Sequence, residues 1–245
     1  MGELPRFLEA FFLTPNRFQV EQALILGCES DYAKLSMEWE EVGETDWVEH
    51  VRAGFVPISA GPFQIVAEWQ ESPADNMTLK IRPGQAFGTG HHETTQMALE
   101  CLAHLPVLGK RVLDVGCGTG ILAIAAEKLG AKSILGFDND PDCRENMADH
   151  LTLNKTQNVR LQIGTLDELH ETPWDIVLAN ITLNVLVMVW PAIFDHLEPG
   201  GILITTGLLI EQEAEALQKL KSLGFEIKRT LHRGEWMLIE AQKPC

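Results

Sequence analysis

The sequence has little positive charge. Lys and Arg number 19 against 35 Asp and Glu, so the formal net charge is -16 at pH 7. Proteins that grip RNA or DNA usually present a basic field to the phosphates. Direct binding to nucleic acid is therefore not expected. An acidic surface instead favours a basic partner, such as a lysine-rich protein.

The sequence also lacks the residue spacings of disulfide scaffolds and metal sites. The cysteines are odd in number and none forms a Cys-x-x-Cys pair, so neither a disulfide framework nor a zinc site is predicted: they are Cys28, Cys101, Cys117, Cys143 and Cys245. Two adjacent histidines, His91 and His92, suit neither a zinc-binding helix nor a charge relay. A general-base role for one of them is possible, but stabilisation of a loop is the favoured interpretation, and no metal is expected.

No N-terminal segment joins a basic region to an apolar core, as a signal peptide does. One apolar stretch, from Ile176 to Phe194, nearly has the length of a membrane span. It contains Asn180, Thr182, Asn184 and Pro191, so the sequence predicts a buried strand, a polar turn and a buried helix there. We therefore expect a cytoplasmic protein without membrane contact.

A glycine turn between a strand and a helix is the central feature of the chain. Arg111 to Val115 is an apolar run typical of a buried parallel strand. Gly116, Gly118 and Gly120 follow at alternate positions, and a helical stretch then runs to Gly130. Glycines let the backbone turn tightly and let a ligand lie against it. The helix N-terminus adds orphan N–H groups and partial positive charge, so the pattern predicts a nucleotide-binding corner.

An acid follows at the position where a ribose needs one. Ser133 to Asp138 is predicted to be the second strand, and it ends in a carboxylate about twenty residues after the glycines, where both ribose hydroxyls could donate to it. The Gly-x-Gly-x-Gly spacing differs from the Gly-x-Gly-x-x-Gly of dinucleotide-binding proteins. A dehydrogenase is therefore disfavoured.

Four segments together resemble one methyltransferase family. They are the Phe-Gly-Thr-Gly-His-His-Glu-Thr-Thr loop from Phe87 to Thr95, the stretch from Leu113 to Ala126, the Asp-Asn-Asp-Pro sequence from Asp138, and Ala179 to Ile181. The glycine motif with Asp114 before it looks like the first motif of class I methyltransferases. In this order the four segments resemble the PrmA family, the methyltransferases of large-subunit ribosomal protein eleven, over roughly residues 38 to 241.

The resemblance implies an α/β fold, with a seven-stranded Rossmann-like class I methyltransferase sheet and a small N-terminal α+β unit. It also implies S-adenosylmethionine as cofactor and a basic ribosomal protein as substrate, methylated on lysine ε-amines, on the N-terminal α-amine, or on both. Asn180 is predicted to be catalytic, because its side-chain oxygen can accept an amine N–H; a purely turn-forming role is the alternative. Cofactor contacts are predicted at Phe87, Thr89, Gly90, Thr94, Asp114, Gly116, Gly118, Gly120, Asp138, Asn139, Thr165, Leu166 and Asn180.

The chain is expected to divide into three parts. Residues 1–38 form a small unit that is either a substrate-recognition module or a structural cap, residues 39–72 a linker helix and strand, and residues 73–245 the methyltransferase domain. Two departures from the family pattern are a shorter N-terminal unit and the segment from Thr182 to Val185, where the family tends to have small residues and proline. The alternatives are a methyltransferase acting on another protein, RNA or a small molecule, and a non-catalytic cofactor-binding partner.

Overall fold

The computed structural model describes residues 55–71, 77–83, 90–170 and 173–245, with only the backbone of Asp167. The chain divides into two units, Met1–His50 and Val51–Cys245, and every described residue belongs to the second. The predicted N-terminal unit, the predicted linker helix up to residue 54, and the predicted cofactor residues Phe87 and Thr89 lie outside the described residues.

Strands and helices alternate through the described chain. The strands are β1 Ile58–Ala60, β2 Phe63–Ala67, β3 Thr78–Ile81, β4 Arg111–Val115, β5 Ser133–Asp138, β6 Val159–Ile163, β7 Trp174–Asn180, β8 Leu197–Leu209, β9 Glu226–Arg233 and β10 Trp236–Gln242. The helices are α1 Glu93–Ala103, α2 Ile121–Lys128, α3 Cys143–Leu153, α4 Leu183–His196 and α5 Glu213–Ser222. No helix in the described ranges is long and apolar enough to cross a membrane.

The main sheet has seven strands in the order β6-β5-β4-β7-β8-β10-β9. Strands β4 to β8 pair in parallel with their neighbours, whereas β10 pairs antiparallel with both β8 and β9. The predicted seven-stranded sheet with a terminal antiparallel pair is therefore confirmed. Since the order reverses on either side of β4, the carboxyl ends of β4 and β7 flank a switch point where such sheets bind ligands.

Both faces of this sheet are covered. Val112 of β4 belongs to a core that α1, α2 and α3 help to build, while its neighbour Leu113 belongs to a second core shared with α4 and α5. Successive strand residues point to opposite faces, so a strand buried on both sides needs apolar residues at every position. This explains why the central strands appear in the sequence as continuous apolar runs.

Two turns differ from what the sequence predicts. The Glu-Pro-Gly-Gly sequence at 198–201 predicts a turn before a strand, but it lies inside β8, at an irregularity where the partners of β7 jump from Leu197 to Ile202. This segment stays in the sheet because the Gly200 N–H donates to the Lys243 carbonyl at 2.9 Å and the Lys243 N–H donates to the Gly201 carbonyl at 2.9 Å. The sequence predicts the last hairpin turn at 233–234, but Arg233 pairs with Trp236, so the two-residue turn is 234–235.

The strands β1 to β3 form a separate small sheet, in which β2 pairs antiparallel with β1 and parallel with β3. The sequence predicts strands at 63–67 and 77–81 with a turn at 72–76 between them. These strands correspond to β2 and β3, but their parallel pairing excludes a simple hairpin, and β1 is not predicted. Helix α3 completes the outer edge of β3. Asn154 Oδ1 accepts the Lys80 N–H at 2.8 Å, and its Nδ2 donates to the Lys80 carbonyl at 2.7 Å. His150 Nε2 accepts the Arg82 N–H at 3.0 Å.

Replacing Asn154 with Ala should weaken this attachment. The change leaves the partly buried N–H and C=O of Lys80 without their partner, which costs about 1–3 kcal/mol in the free energy of unfolding. Chemical denaturation of the two proteins measures the difference. Thr152→Ala is the matched control, because the Thr152 hydroxyl only donates to Ala148 within the same helix. Equal stability of Asn154→Ala and the control would contradict a fastening role.

Candidate functional site

The glycine loop after β4 is folded onto the end of β5. The Gly116 and Cys117 N–H groups both donate to the Phe137 carbonyl, at 2.8 and 3.2 Å, and the Gly118 N–H donates to Asp138 Oδ2 at 3.0 Å. Gly116, Gly118 and Gly120 have φ angles of 69°, 51° and 75°, a left-handed region that L side chains rarely adopt. The loop therefore requires glycine at these positions because of its backbone conformation.

Close neighbours impose a second requirement for glycine. A Cβ on Gly116 would lie 2.6 Å from Ile181 Cγ2, and one on Gly120 would lie 2.9 Å from Met147 Cε. Met147 of α3 is fully buried and would also meet a Cβ on Gly136, at 2.4 Å. The sequence analysis did not identify Met147 or Ile181 as parts of the site. An isolated glycine inside a strand, here Gly136, is a signal of close approach that could have indicated it.

The buried Asp114 side chain connects β4 to the first turn of α2. It is 1 % exposed, and its Oδ2 accepts the Ala123 N–H at 3.1 Å, which satisfies one orphan donor in the first turn of α2. Burial raises the pKa of the Asp114 carboxyl to about 7; the Ala123 N–H acts in the opposite direction, and the charge of Asp138 adds to the rise. Asp114 therefore stabilises the loop from beneath.

Asp138 ends β5 at the mouth of the loop and is 8 % exposed. Besides the Gly118 N–H, its carboxylate accepts the Asp140 N–H, at 3.1 Å to Oδ1. Burial, together with the charge of Asp138 and a hydrogen bond to it, raises the pKa of the Cys143 thiol to about 12. The thiol thus stays neutral and donates toward the carboxylate. Asn139, next in the chain, is exposed.

Asn180 is the last residue of β7, on the other side of β4 from β5. Its Nδ2 donates to Thr95 Oγ1 at 3.3 Å, while its Oδ1 is buried and has no hydrogen-bond partner. A buried acceptor without a donor is costly, so this oxygen is suited to receive one from a ligand. Thr95, a fully buried residue of α1, was not among the predicted site residues.

Two further predicted residues, Gly90 and Thr94, lie just before and within the first turn of α1. Thr94 is fully buried, and its hydroxyl contacts His92 Nδ1 at 2.8 Å; the same nitrogen accepts the Thr94 N–H and so caps the helix. His92 also stacks edge-on against Trp236, with ring centroids 4.6 Å apart. A Cβ on Gly90 would lie 2.6 Å from Ile65 Cδ1, so Gly90 packs against the small sheet. The favoured interpretation of His92 as a loop-stabilising residue agrees with this geometry.

Thr165 and Leu166 follow β6, which pairs with β5. Thr165 begins a short 3₁₀ turn, Leu166–Glu168, and its N–H donates to the Glu168 carboxylate at 3.0 Å. The Leu166 side chain is 7 % exposed and packs in the second core. The Leu166 side chain is thus turned away from the surface, and at this position the backbone is what a ligand beside Asp138 could contact.

These residues fit S-adenosylmethionine. The glycine-rich loop, the first turn of α2 and the Asp138 carboxylate supply a nucleotide cradle. The unpartnered Asn180 oxygen lies at the end of the strand beside β4, where the reacting end of such a ligand would project. Within the described ranges, no group of three or more His, Cys, Asp or Glu side chains could hold a metal ion.

Comparison with known proteins agrees with this site. The family model "Ribosomal protein L11 methyltransferase (PrmA)" matches residues 6–244. The chain is 39% identical over 222 residues to the ribosomal protein L11 methyltransferase of Deinococcus radiodurans, a match covering 84% of this chain and 80% of the relative. It is 38% identical over 201 residues to the Thermus thermophilus protein of the same name, covering 82% and 79%.

Solved structures give the same result. The crystal structure of ribosomal protein L11 methylase from Lactobacillus delbrueckii subsp. bulgaricus matches with a TM-score of 0.72 and 31% identity, covering 78% of this chain and 100% of that chain. A precorrin-6y C5,15-methyltransferase from Geobacter metallireducens, at 17% identity and a TM-score of 0.51, covers 61% and 86% and shares the fold alone. The predicted fold, cofactor and enzyme class are confirmed, and the chain belongs to the PrmA family of S-adenosylmethionine-dependent ribosomal protein L11 methyltransferases.

Proposed function

We propose that this protein transfers methyl groups from S-adenosylmethionine to lysine ε-amines, to the N-terminal α-amine, or to both, on ribosomal protein L11. The observation that supports this most directly is the buried, unpartnered Oδ1 of Asn180, a neutral acceptor suited to an amine N–H. The relatives named for this activity supply the substrate. Another protein, an RNA or a small molecule as acceptor is the alternative, but nothing in the charge balance favours RNA, since the formal net charge is -16.

The chain contributes to the reaction mainly by positioning. When bound, S-adenosylmethionine would supply an electrophilic methyl carbon: the N–C bond to the amine forms in line as the C–S bond breaks, and S-adenosylhomocysteine leaves as a neutral thioether. Asn180 Oδ1 would accept one amine N–H and so direct the nitrogen lone pair, while Thr95 Oγ1 fixes the amide through Nδ2. Holding two reactants in this way removes much of the entropic part of the barrier.

The incoming amine must also lose a proton. A free lysine has a pKa of about 10.4, so about one amine in a thousand is neutral near pH 7.4. Transfer into a weakly polar slot lowers the pKa of the amine and exposes the lone pair. Three described neighbours of Asn180 are neutral: Thr95, Ile181, and Thr206, whose carbonyl accepts the Ile181 N–H at 3.2 Å. Desolvation in such surroundings makes a strong general base unnecessary.

The cofactor contacts remain proposals of the same kind. Asp138 would accept the ribose hydroxyls, and the backbone of Gly116 to Gly120 would lie against the ligand. The backbone of Thr165 and Leu166 would flank the base, since the Leu166 side chain is packed away from it. The remaining predicted contacts are Phe87, Thr89, Gly90, Thr94, Asp114, Asn139 and Asn180.

We also propose that residues 1–38 recognise the protein substrate, since the catalytic motifs all follow residue 84. An acidic enzyme and a basic ribosomal protein should associate faster at low salt. We place the reaction in the cytoplasm, without direct contact to nucleic acid.

The function is tested by incubating the protein with labelled S-adenosylmethionine and purified ribosomal protein L11. Mass spectrometry of the product should locate methyl groups on lysine side chains, the N-terminal amine, or both. Parallel reactions with ribosomal RNA and with an unrelated basic protein are the controls. Label in the RNA and none in ribosomal protein L11 would overturn the proposal in favour of the alternative acceptor.

Replacing Asp138 with Ala should weaken cofactor binding by about a hundred-fold or more. The variant loses two charge-assisted hydrogen bonds to the ribose, each of about 1.5–3 kcal/mol, as well as the anchor of the Gly118 N–H. Calorimetric titration with S-adenosylmethionine measures the change. Asp140→Ala is the control, because this exposed acid only accepts the Asp142 N–H. Unchanged affinity in Asp138→Ala would show that the ribose lies elsewhere.

Replacing Asn180 with Ala should lower turnover by about ten- to a hundred-fold, the effect of losing one or two hydrogen bonds in the transition state. Cofactor affinity should change little, which is the pattern expected when a contact to the acceptor is lost. Thr95→Val should lower turnover by a smaller factor, because the Asn180 amide then loses the hydrogen bond that orients it but is still present. Loss of cofactor binding with normal turnover at saturation would contradict this role.

A further inference from the structure

Helix α4 exposes an apolar face that nothing in the described chain covers. Met188 is 70% exposed and Val185 39% exposed. They lie three positions apart, so they share one side of the helix. From Leu183 to Phe194 the helix has no charged residue. We call Val185 and Met188 the α4 apolar face.

This face begins beside the acceptor site. Helix α4 starts at Leu183, three residues after Asn180, and Val185 lies in its first turn. A side chain that reached Asn180 from outside would thus bring the rest of its molecule close to Val185. Leu108 is another exposed large apolar residue in the described ranges. It lies just before β4 begins, at the opposite end of the strand from the glycine loop.

The neighbouring helix makes the same end of the fold acidic. Helix α5 begins four residues after β8 ends, so its first turn also lies at the carboxyl edge of the sheet. Glu211, Glu213 and Glu215 are located there. The cations of α5, Lys219 and Lys221, lie in its last turn, and Lys219 lines a groove between the helices together with Glu215 and Val187. The excess of acidic residues is therefore confined to the start of α5.

The exposed apolar residues of α4 and the acidic residues at the start of α5 together indicate what kind of partner could bind here. A second copy packed on the same face would bring the carboxylates of one chain toward those of the other, which is unfavourable. A basic surface with an apolar residue would instead match both features. Apolar residues at the centre of an interface supply most of its affinity, while surrounding charges steer the encounter.

We propose that the α4 apolar face is the docking surface for the body of the basic protein substrate, outside the residue that is methylated. The inference rests on the proposed function and adds a second contact to it. Docking here would hold the substrate close to Asn180, so that the reactive amine is presented repeatedly to one site. Short amine-containing peptides do not reach this face and gain nothing from it.

The test compares the full-length protein with its Met188→Asp variant. Titration calorimetry with ribosomal protein L11, in the presence of S-adenosylhomocysteine, should show affinity about ten-fold weaker for the variant. The KM for the intact substrate should rise by a similar factor, with turnover at saturation retained. Methylation of a short peptide carrying the same amine should be unchanged. Leu108→Asp, which places the same charge on a residue 81% exposed elsewhere, is the control and should match the parent protein.

The outcomes separate docking from the function itself. If the parent protein methylates ribosomal protein L11 and Met188→Asp does so with unchanged KM, the docking surface is refuted while the function stands. An equal loss with the short peptide would also refute docking, because it would indicate damage at the acceptor site. A parent protein that is dimeric, with Met188→Asp monomeric, would assign the face to self-association. If the parent protein neither binds nor methylates ribosomal protein L11, both proposals fall.

Discussion

The Phe137 carbonyl, at the end of β5, is the acceptor on which the cofactor corner depends. Two successive N–H groups of the glycine loop, from Gly116 and Cys117, converge on it, and the next glycine N–H reaches Asp138. This double attachment bends the chain sharply after β4, so that α2 starts against the sheet with its N-terminus facing the loop. Left-handed φ angles follow from the bend, and so does the need for glycine.

Helix α3 connects the glycine loop to the small sheet through its side chains. Met147 fills the space that glycines 120 and 136 leave open, which locks α3 beneath the loop. The same helix uses His150 and Asn154 to complete the edge of β3. Strand β3 leads toward Gly90, whose Cα packs on Ile65 of the small sheet. One helix therefore ties the small sheet to the cofactor corner.

Local patterns in the sequence were enough to predict most of this arrangement. The bounds of β4 and β5 match the apolar runs, because strands covered on both faces need apolar residues throughout. The partner of Asn180 was not predictable, since Thr95 lies 85 positions away in the chain. The inward orientation of Leu166 and the parallel pairing of β2 with β3 were missed for the same reason. Each depends on contacts between distant segments, which no local periodicity encodes.

The distribution of charge around the acceptor site suits the two demands that an amine makes. Outside, Glu211 and Glu215 lie in the first turns that follow β8, and under the proposed function they would attract a protonated, basic substrate. Inside, Asn180 and Thr95 offer only neutral groups, and in those surroundings the charged form of an amine is disfavoured. A carboxylate in the place of Asn180 would hold the amine protonated and oppose transfer. Under the proposed function, attraction and deprotonation are therefore served by different groups, the exposed acids at the start of α5 and the neutral Asn180 and Thr95.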